Sequence, residues 1–167
     1  MIRNSEFDEW VRNKALRQAF VPWIAELRPW TFFGTLEPCP GYPLNSHQFR
    51  ALLRYWDAKV CRSLLGSRWQ RVANRDARPF TVVFFEGGPK SHALHAHMLV
   101  YTPPELKWRY WFEAGWQWGQ IAQNRICNRD LQLAQIGETK VDRLLTASYA
   151  TKNLAAPQHM ESWQFLP

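Results

Sequence analysis

Residues 80–101 read Phe-Thr-Val-Val-Phe-Phe-Glu-Gly-Gly-Pro-Lys-Ser-His-Ala-Leu-His-Ala-His-Met-Leu-Val-Tyr, and the rest of the chain is best understood outward from them. Phe80 to Glu86 and Leu94 to Tyr101 are β-branched and aromatic runs, separated by a turn built on Gly87, Gly88 and Pro89, which predicts an antiparallel hairpin. Side chains alternate across a strand, so His95 and His97 share one face while Leu94, Ala96, Met98 and Val100 share the other. Twice the strand rise, about 7 Å, separates the two histidines along the backbone, and both rings can lean toward one cation. Glu86 closes the preceding strand as its one charged residue, and antiparallel pairing that aligns it with either histidine puts its carboxylate on the same face. Two nitrogens and a carboxylate suit Mn or Mg with coordination sites left for water and a phosphate oxygen; imidazole also accommodates Zn, Co or Ni.

Upstream, Trp30 to Glu37 (Trp-Thr-Phe-Phe-Gly-Thr-Leu-Glu) has the composition of a strand and stops at Pro38, Pro40, Gly41 and Pro43. Asn45 and Gln48 have capping-box spacing, and Phe49, Leu52, Leu53, Trp56 and Val60 follow as an apolar stripe that a helix holds on one side. Residues 1–29 predict a helical extension behind the cap candidate Ser5, broken near Pro22. Downstream, Thr102, Pro103 and Glu105 open another helix, Leu131 to Ile136 alternates as a fourth strand ended by Gly137, and Thr139 with Asp142 starts a last helix running to about Leu154. The order β-α-β-β-α-β-α predicts one α+β domain over residues 1–167. Its core at 30–155 would be a mainly antiparallel sheet of four or more strands with helices on one face, ferredoxin-like or RRM-like.

Lys and Arg number 21 against 14 Asp and Glu, a formal charge of +7, which points to a polyanionic partner. With 46% apolar residues the chain has the material for a core and is not disordered. Cys39, Cys61 and Cys127 form no Cys-x-x-Cys pair, so neither a disulfide framework nor a zinc knuckle is indicated, and reduced, intracellular thiols are expected. No signal-peptide core and no membrane-spanning stretch are present, which predicts a cytoplasmic protein. Helical-stripe positions such as Trp10 and Trp56 place most of the ten tryptophans in the core.

The last predicted helix carries Tyr149-Ala-Thr-Lys152, whose spacing brings a phenol and an ammonium to neighbouring positions of one face. A phenol with a reference pKa near 10 is ionised in about one molecule in a thousand at pH 7, so a nucleophilic tyrosine needs nearby positive charge or a base. Arg68, Arg71, Arg75 and Arg78 cluster ahead of the second strand, and Lys90 lies in the hairpin turn; the first three and Lys90 are candidate phosphate contacts, set against the reading of a solvated face.

Together these segments resemble the HUH endonucleases, in particular the rolling-circle replication initiators (Rep proteins) of plasmids and small single-stranded DNA viruses. Phe-Phe-Gly-Thr-Leu-Glu at 32–37 is similar to the first family motif, with Glu37 departing from the usual Thr-Leu-Thr ending. His95-Ala-His97 among apolar neighbours resembles the second, with Glu86 where several viral members place a third metal ligand, and Tyr149-Ala-Thr-Lys152 resembles the third. The resemblance implies a divalent metal held by Glu86, His95 and His97, and Tyr149 as a nucleophile assisted by Lys152. It implies sequence-specific nicking and joining of single-stranded or stem-loop origin DNA through a 5′-phosphotyrosine. It also implies a helicase supplied by a separate chain, since no Gly-x-x-x-x-Gly-Lys-Ser/Thr motif is present, and a host nucleus as location if the source is a eukaryotic virus. A single-strand transposase or mobilisation relaxase would use the same chemistry. A non-catalytic RRM-like RNA-binding module and a phosphoesterase that activates water are the competing readings, the first disfavoured by the lack of the usual RNA-stacking pattern.

Overall fold

The computed structural model describes residues 4–36, 44–86, 94–125, 131–152 and 163–166. Five strands form one antiparallel sheet: β1 (Phe32–Leu36), β2 (Phe80–Glu86), β3 (His95–Tyr101), β4 (Gln132–Gln135) and β5 (Trp163–Leu166), in the order β4-β1-β3-β2-β5. The first four strands in that order make two interlocked split β-α-β units, the ferredoxin-like arrangement. The helices are α1 (Asn4–Leu27), α2 (Ser46–Leu65), α3 (Lys107–Arg125, entered through a tight turn at Pro104–Leu106) and α4 (Lys140–Ala150). Both predicted capping boxes form. Asn45 Oδ1 accepts from the Gln48 amide at 2.9 Å, Thr139 Oγ1 accepts from the Asp142 amide at 3.1 Å, and each N3 side chain answers the cap amide.

Helices cover both faces of the sheet, where the sequence suggested one. Phe32, Leu36, Val83, Phe85, Met98 and Val100 pack against α2 and α3 through Phe49, Leu53, Trp56, Tyr110 and Trp118. On the opposite face Val82, Phe84 and Leu99 pack against Ile24 and Ala25 of α1 and Ala147 and Ala150 of α4. The reason lies in the two central strands: β2 and β3 carry apolar residues at odd and even positions alike, so each face needs a cover. α1 and α4 meet there, tied by the Arg17 guanidinium donating to the Ser148 carbonyl at 3.0 Å. Packing also explains why α1 runs unbroken through Pro22: the turn that follows is anchored by Ile24 and Ala25, both buried.

Other departures are local. β5 was missed because four residues offer little periodicity, although Leu166 is wholly buried and its strand completes the β2 edge. α4 ends at Ala150, where Thr151 turns back and its hydroxyl donates to the Ala147 carbonyl at 2.7 Å. Trp30, Trp56, Trp69 and Trp118 are core as expected, but Trp23, Trp108, Trp111 and Trp116 are exposed. α3 buries Tyr110, Ala114, Trp118 and Ile121 at helical spacing, which turns its other aromatics outward. The hairpin turn at Gly87, Gly88 and Pro89, together with Glu37, Lys90, Cys39, Cys127 and Leu154, lies outside the described residues, as does the side chain of Trp10.

Burial pushes the Asp57 carboxyl on α2 up to about 7, against the opposing pull of Arg78. A carboxyl whose folded pKa lies above its unfolded value binds more protons when folded, so its contribution is complete below about pH 4 and is lost as pH rises through 7. Asp57→Asn is therefore expected to raise stability at pH 8 by a few kcal/mol, with little change near pH 4. Urea unfolding of both proteins at the two pH values checks it.

Candidate metal centre and tyrosine site

The β2–β3 register aligns Glu86 with His95 and Phe84 with His97. All three candidate ligands consequently face α4, on the side of the sheet shared by Val82 and Leu99. Glu86 and His97 are buried and His95 is partly exposed. One carboxylate oxygen, Oε2, lies 2.9 Å from His95 Nε2 and 3.5 Å from His97 Nε2. The ligand atoms of the three residues lie within 4.8 Å of one another. Two donors on opposite sides of one ion can be about 4.4 Å apart, so modest side-chain rotation gathers these three around a single centre.

The donor chemistry fits a cation. His97 Nδ1 lies 3.1 Å from the Thr35 hydroxyl of β1, and its ring stacks on Phe33 with centroids 5.3 Å apart. Its Nε2 is buried and makes no hydrogen bond among the described residues, and neither does Glu86 Oε1. Two buried polar atoms without hydrogen-bond partners among the described residues, in side chains whose ligand atoms lie this close, are what a ligand set presents before the ion is counted. Burial, reinforced by His95 and Lys152 against the opposing pull of Glu86, lowers the His97 pKa to about 4, so at neutral pH the ring is in the form that ligates metals. Glu86, His95 and His97 can thus hold a metal ion.

The tyrosine stands beside this group. Its ring lies 5.3 Å from the His97 ring and 5.6 Å from Phe33, and the residue is half exposed. Lys152 sits one residue past Thr151, in the turn that closes α4 rather than on the helix, with its amide donating to the Tyr149 carbonyl at 3.2 Å. Its ammonium lies 4.3 Å from the Tyr149 ring centroid and 3.2 Å from Glu86 Oε2. Lys152 therefore bridges the phenol and the carboxylate.

The basic cluster falls elsewhere. Arg68, Arg71 and Arg75 are exposed in the segment that enters β2 at Phe80, and Glu86 closes the far end of that strand. Six strand steps, about 20 Å, separate the ends. Thr35 and Phe33 are the site residues that sequence reasoning missed. Both lie inside the quoted 32–37 stretch, and placing β1 next to β3 would have revealed them, because Thr35 is the cross-strand partner of His97.

No protein-family model, no curated protein and no solved structure matches this chain. No described helix is long and apolar enough to cross a membrane.

The His97 tautomer protonated on Nδ1 donates to the Thr35 hydroxyl and keeps its lone pair on Nε2, the nitrogen 3.5 Å from Glu86 Oε2, and this is the tautomer that a metal bound at Nε2 requires. Thr35→Val keeps the shape and removes the acceptor. It is expected to weaken Mn2+ binding by about tenfold or more, with Thr35→Ser near the parent, as read by titration calorimetry.

Proposed function

We propose that this chain is a metal-dependent endonuclease of HUH type that nicks and rejoins single-stranded DNA through Tyr149. The observation that carries the reading is the convergence of four groups: the Tyr149 ring meets the His97 ring and the Lys152 ammonium, and Lys152 and His97 each approach the Glu86 carboxylate. A divalent ion bound by Glu86, His95 and His97, Mn or Mg by donor type, would supply Lewis-acid stabilisation of charge on a phosphate oxygen. The protein's own part is positioning. Thr35 and Phe33 fix the His97 ring, and α4 presents a half-exposed phenol next to it.

The phenol oxygen attacks phosphorus in line, forming a tyrosyl–phosphate bond as the bond to the 3′-oxygen breaks. The phenol loses a proton and the departing 3′-oxygen gains one. The 5′-phosphotyrosine conserves a phosphodiester bond, so attack by a 3′-hydroxyl reverses the step without ATP. The formal charge of +7 favours a polyanionic substrate, and the role implied is initiation of rolling-circle replication on single-stranded or stem-loop DNA, with unwinding by a separate helicase.

The experiment mixes the protein with pooled single-stranded oligonucleotides and Mn2+ and looks for a denaturation-resistant protein–DNA adduct that is lost with EDTA. Cleaved DNA with no adduct would replace this reading with a water-activating phosphoesterase; binding without cleavage would favour a non-catalytic nucleic-acid module.

Lys152 has a double position, beside the phenol and beside the ligand oxygen. Its ammonium and an incoming divalent cation repel across a few ångströms, a penalty reduced because the lysine is one-third exposed and can swing away. Lys152→Met is expected to tighten Mn2+ binding several-fold while slowing adduct formation about tenfold or more. A variant that loses both together would show that Lys152 only supports the fold.

A further inference from the structure

A groove of about 780 Å3 opens beside the site, between β4 and the outward face of α3. Its outer wall is aromatic: Trp111 is 49% and Trp116 56% exposed, with Phe112 alongside. Its inner wall includes Phe33 and Thr35, the two residues that hold the His97 ring. A second groove of about 460 Å3 runs from Phe33 and Ala134, shared with the first, along α4 to Tyr149. The two make one path from the phenol, around the β4 edge of the sheet, to α3 on its other face.

We infer that this path is a nucleobase-stacking track for the single-stranded DNA flanking the scissile phosphate, with bases on the Trp111 and Trp116 rings. The inference rests on the nuclease reading of the site and names how its substrate is held. Three observations favour bases over another occupant. Any strand cut at Tyr149 continues away from it, and the track begins at Tyr149 itself. Among the described residues no charged side chain lines the α3 groove, where Gln120 and Gln132 are the polar side chains besides Thr35, and Asp142 is the charged one along the α4 groove; the α3 surface suits flat, neutral, hydrogen-bonding rings, with phosphates left toward solvent. Finally, Gly115 and Gly119 line the groove one helical turn apart, and a Cβ built on either meets nothing within 4 Å among the described residues. Glycine inside a helix is unfavourable relative to alanine, and packing against the described residues does not ask for it here. A flat ring approaching the helix backbone does.

Binding of a fluorescein-labelled oligothymidylate of about twenty nucleotides, followed by anisotropy in EDTA on a Tyr149→Phe background, separates this track from the chemistry. Trp111→Ala with Trp116→Ala should weaken binding about ten- to hundredfold, while an abasic oligomer of equal length binds both proteins alike. Gly115→Ala with Gly119→Ala should raise the melting temperature and still weaken oligothymidylate binding. Equal oligothymidylate affinity in parent and double-tryptophan variant overturns the proposal. So does a concentration-dependent dimer, seen by sedimentation, that the tryptophan changes abolish without altering DNA binding: the groove would then join two copies of the chain. Base-dependent binding without any adduct in the wild type would keep the track and remove the nuclease. Normal adduct formation with unaltered variant binding would do the reverse.

Discussion

Tyr149→Phe is expected to abolish the proposed covalent adduct, by at least about a thousandfold, and to leave the protein folded. The magnitude follows from what is deleted: a phenylalanine ring has no oxygen to bond to phosphorus, and loss of a nucleophile removes the step rather than slowing it. The fold survives because the ring, not the hydroxyl, makes the contacts. Phe33 and His97 meet it edge-on or tilted at 5.6 and 5.3 Å, and phenylalanine keeps both contacts. Melting temperature should therefore change by no more than a degree or two, while adduct on a denaturing gel disappears. Tyr55 is the control. It is exposed and close to Lys59, so it mimics the pair chemically, but it lies on α2, the helix that covers the opposite face of the sheet. Tyr55→Phe should leave the adduct unchanged. If Tyr149→Phe still becomes attached to DNA, and peptide mapping finds the link at Tyr55, the site has been misplaced.

The same two tyrosines show how far sequence can be read. Their local spacing to lysine is similar, and only the fold separates them. The fold itself was largely legible because its signals are local: the Val-Val-Phe-Phe and Leu-His-Ala-His-Met-Leu-Val runs, the Asn45/Gln48 and Thr139/Asp142 caps, and the glycines and prolines between them. β5 was illegible because Trp-Gln-Phe-Leu becomes a strand only when the β2 edge is there to receive it. The two-sided cover of the sheet was written in β2 and β3, whose unbroken apolar runs ask for burial on both faces.

At the site, the candidate ligands were readable because alternation within a hairpin determines which side chains share a face, and register did the rest. The supporting residues were not, since Thr35 reaches His97 from 62 positions away and no local pattern predicts that contact. Lys152 was expected on the helical face with Tyr149; it arrives by a turn instead, and the turn is what lets its ammonium reach Glu86. Arg68, Arg71 and Arg75 carry a charge signal with no positional content, and the connection they occupy enters β2 at Phe80, the end away from Glu86.

Glu86→Gln and the double change His95→Ala, His97→Ala are expected to eliminate Mn2+-dependent stabilisation, a second large effect that can be measured without DNA. An ion that binds only the folded chain stabilises it by about 2.7 kcal/mol at one hundred times its dissociation constant, which for a chain of this size is about 5–10 °C in melting temperature. Glu86 is the sharper test. Its Oε2 lies 2.9 and 3.5 Å from the two histidine nitrogens and 3.2 Å from the Lys152 ammonium, and its Oε1 is buried without a hydrogen bond among the described residues. Glutamine preserves the volume and removes the charge that draws a divalent ion to the two imidazoles. Without metal the exchange should cost little, about 1 kcal/mol or less in either direction. The charge pair with Lys152 is lost, but that lysine is one-third exposed and can turn to water; a glutamine can still hydrogen-bond to His95, and a buried carboxylate is removed in return. The signature is thus a variant that melts like the parent in EDTA and no longer rises with Mn2+. A Glu86→Gln protein that gains as many degrees as the parent would mean that the ion binds elsewhere. With the ion gone from beside Tyr149, the phenol would have lost its electrophilic partner and the nuclease reading would fail with it.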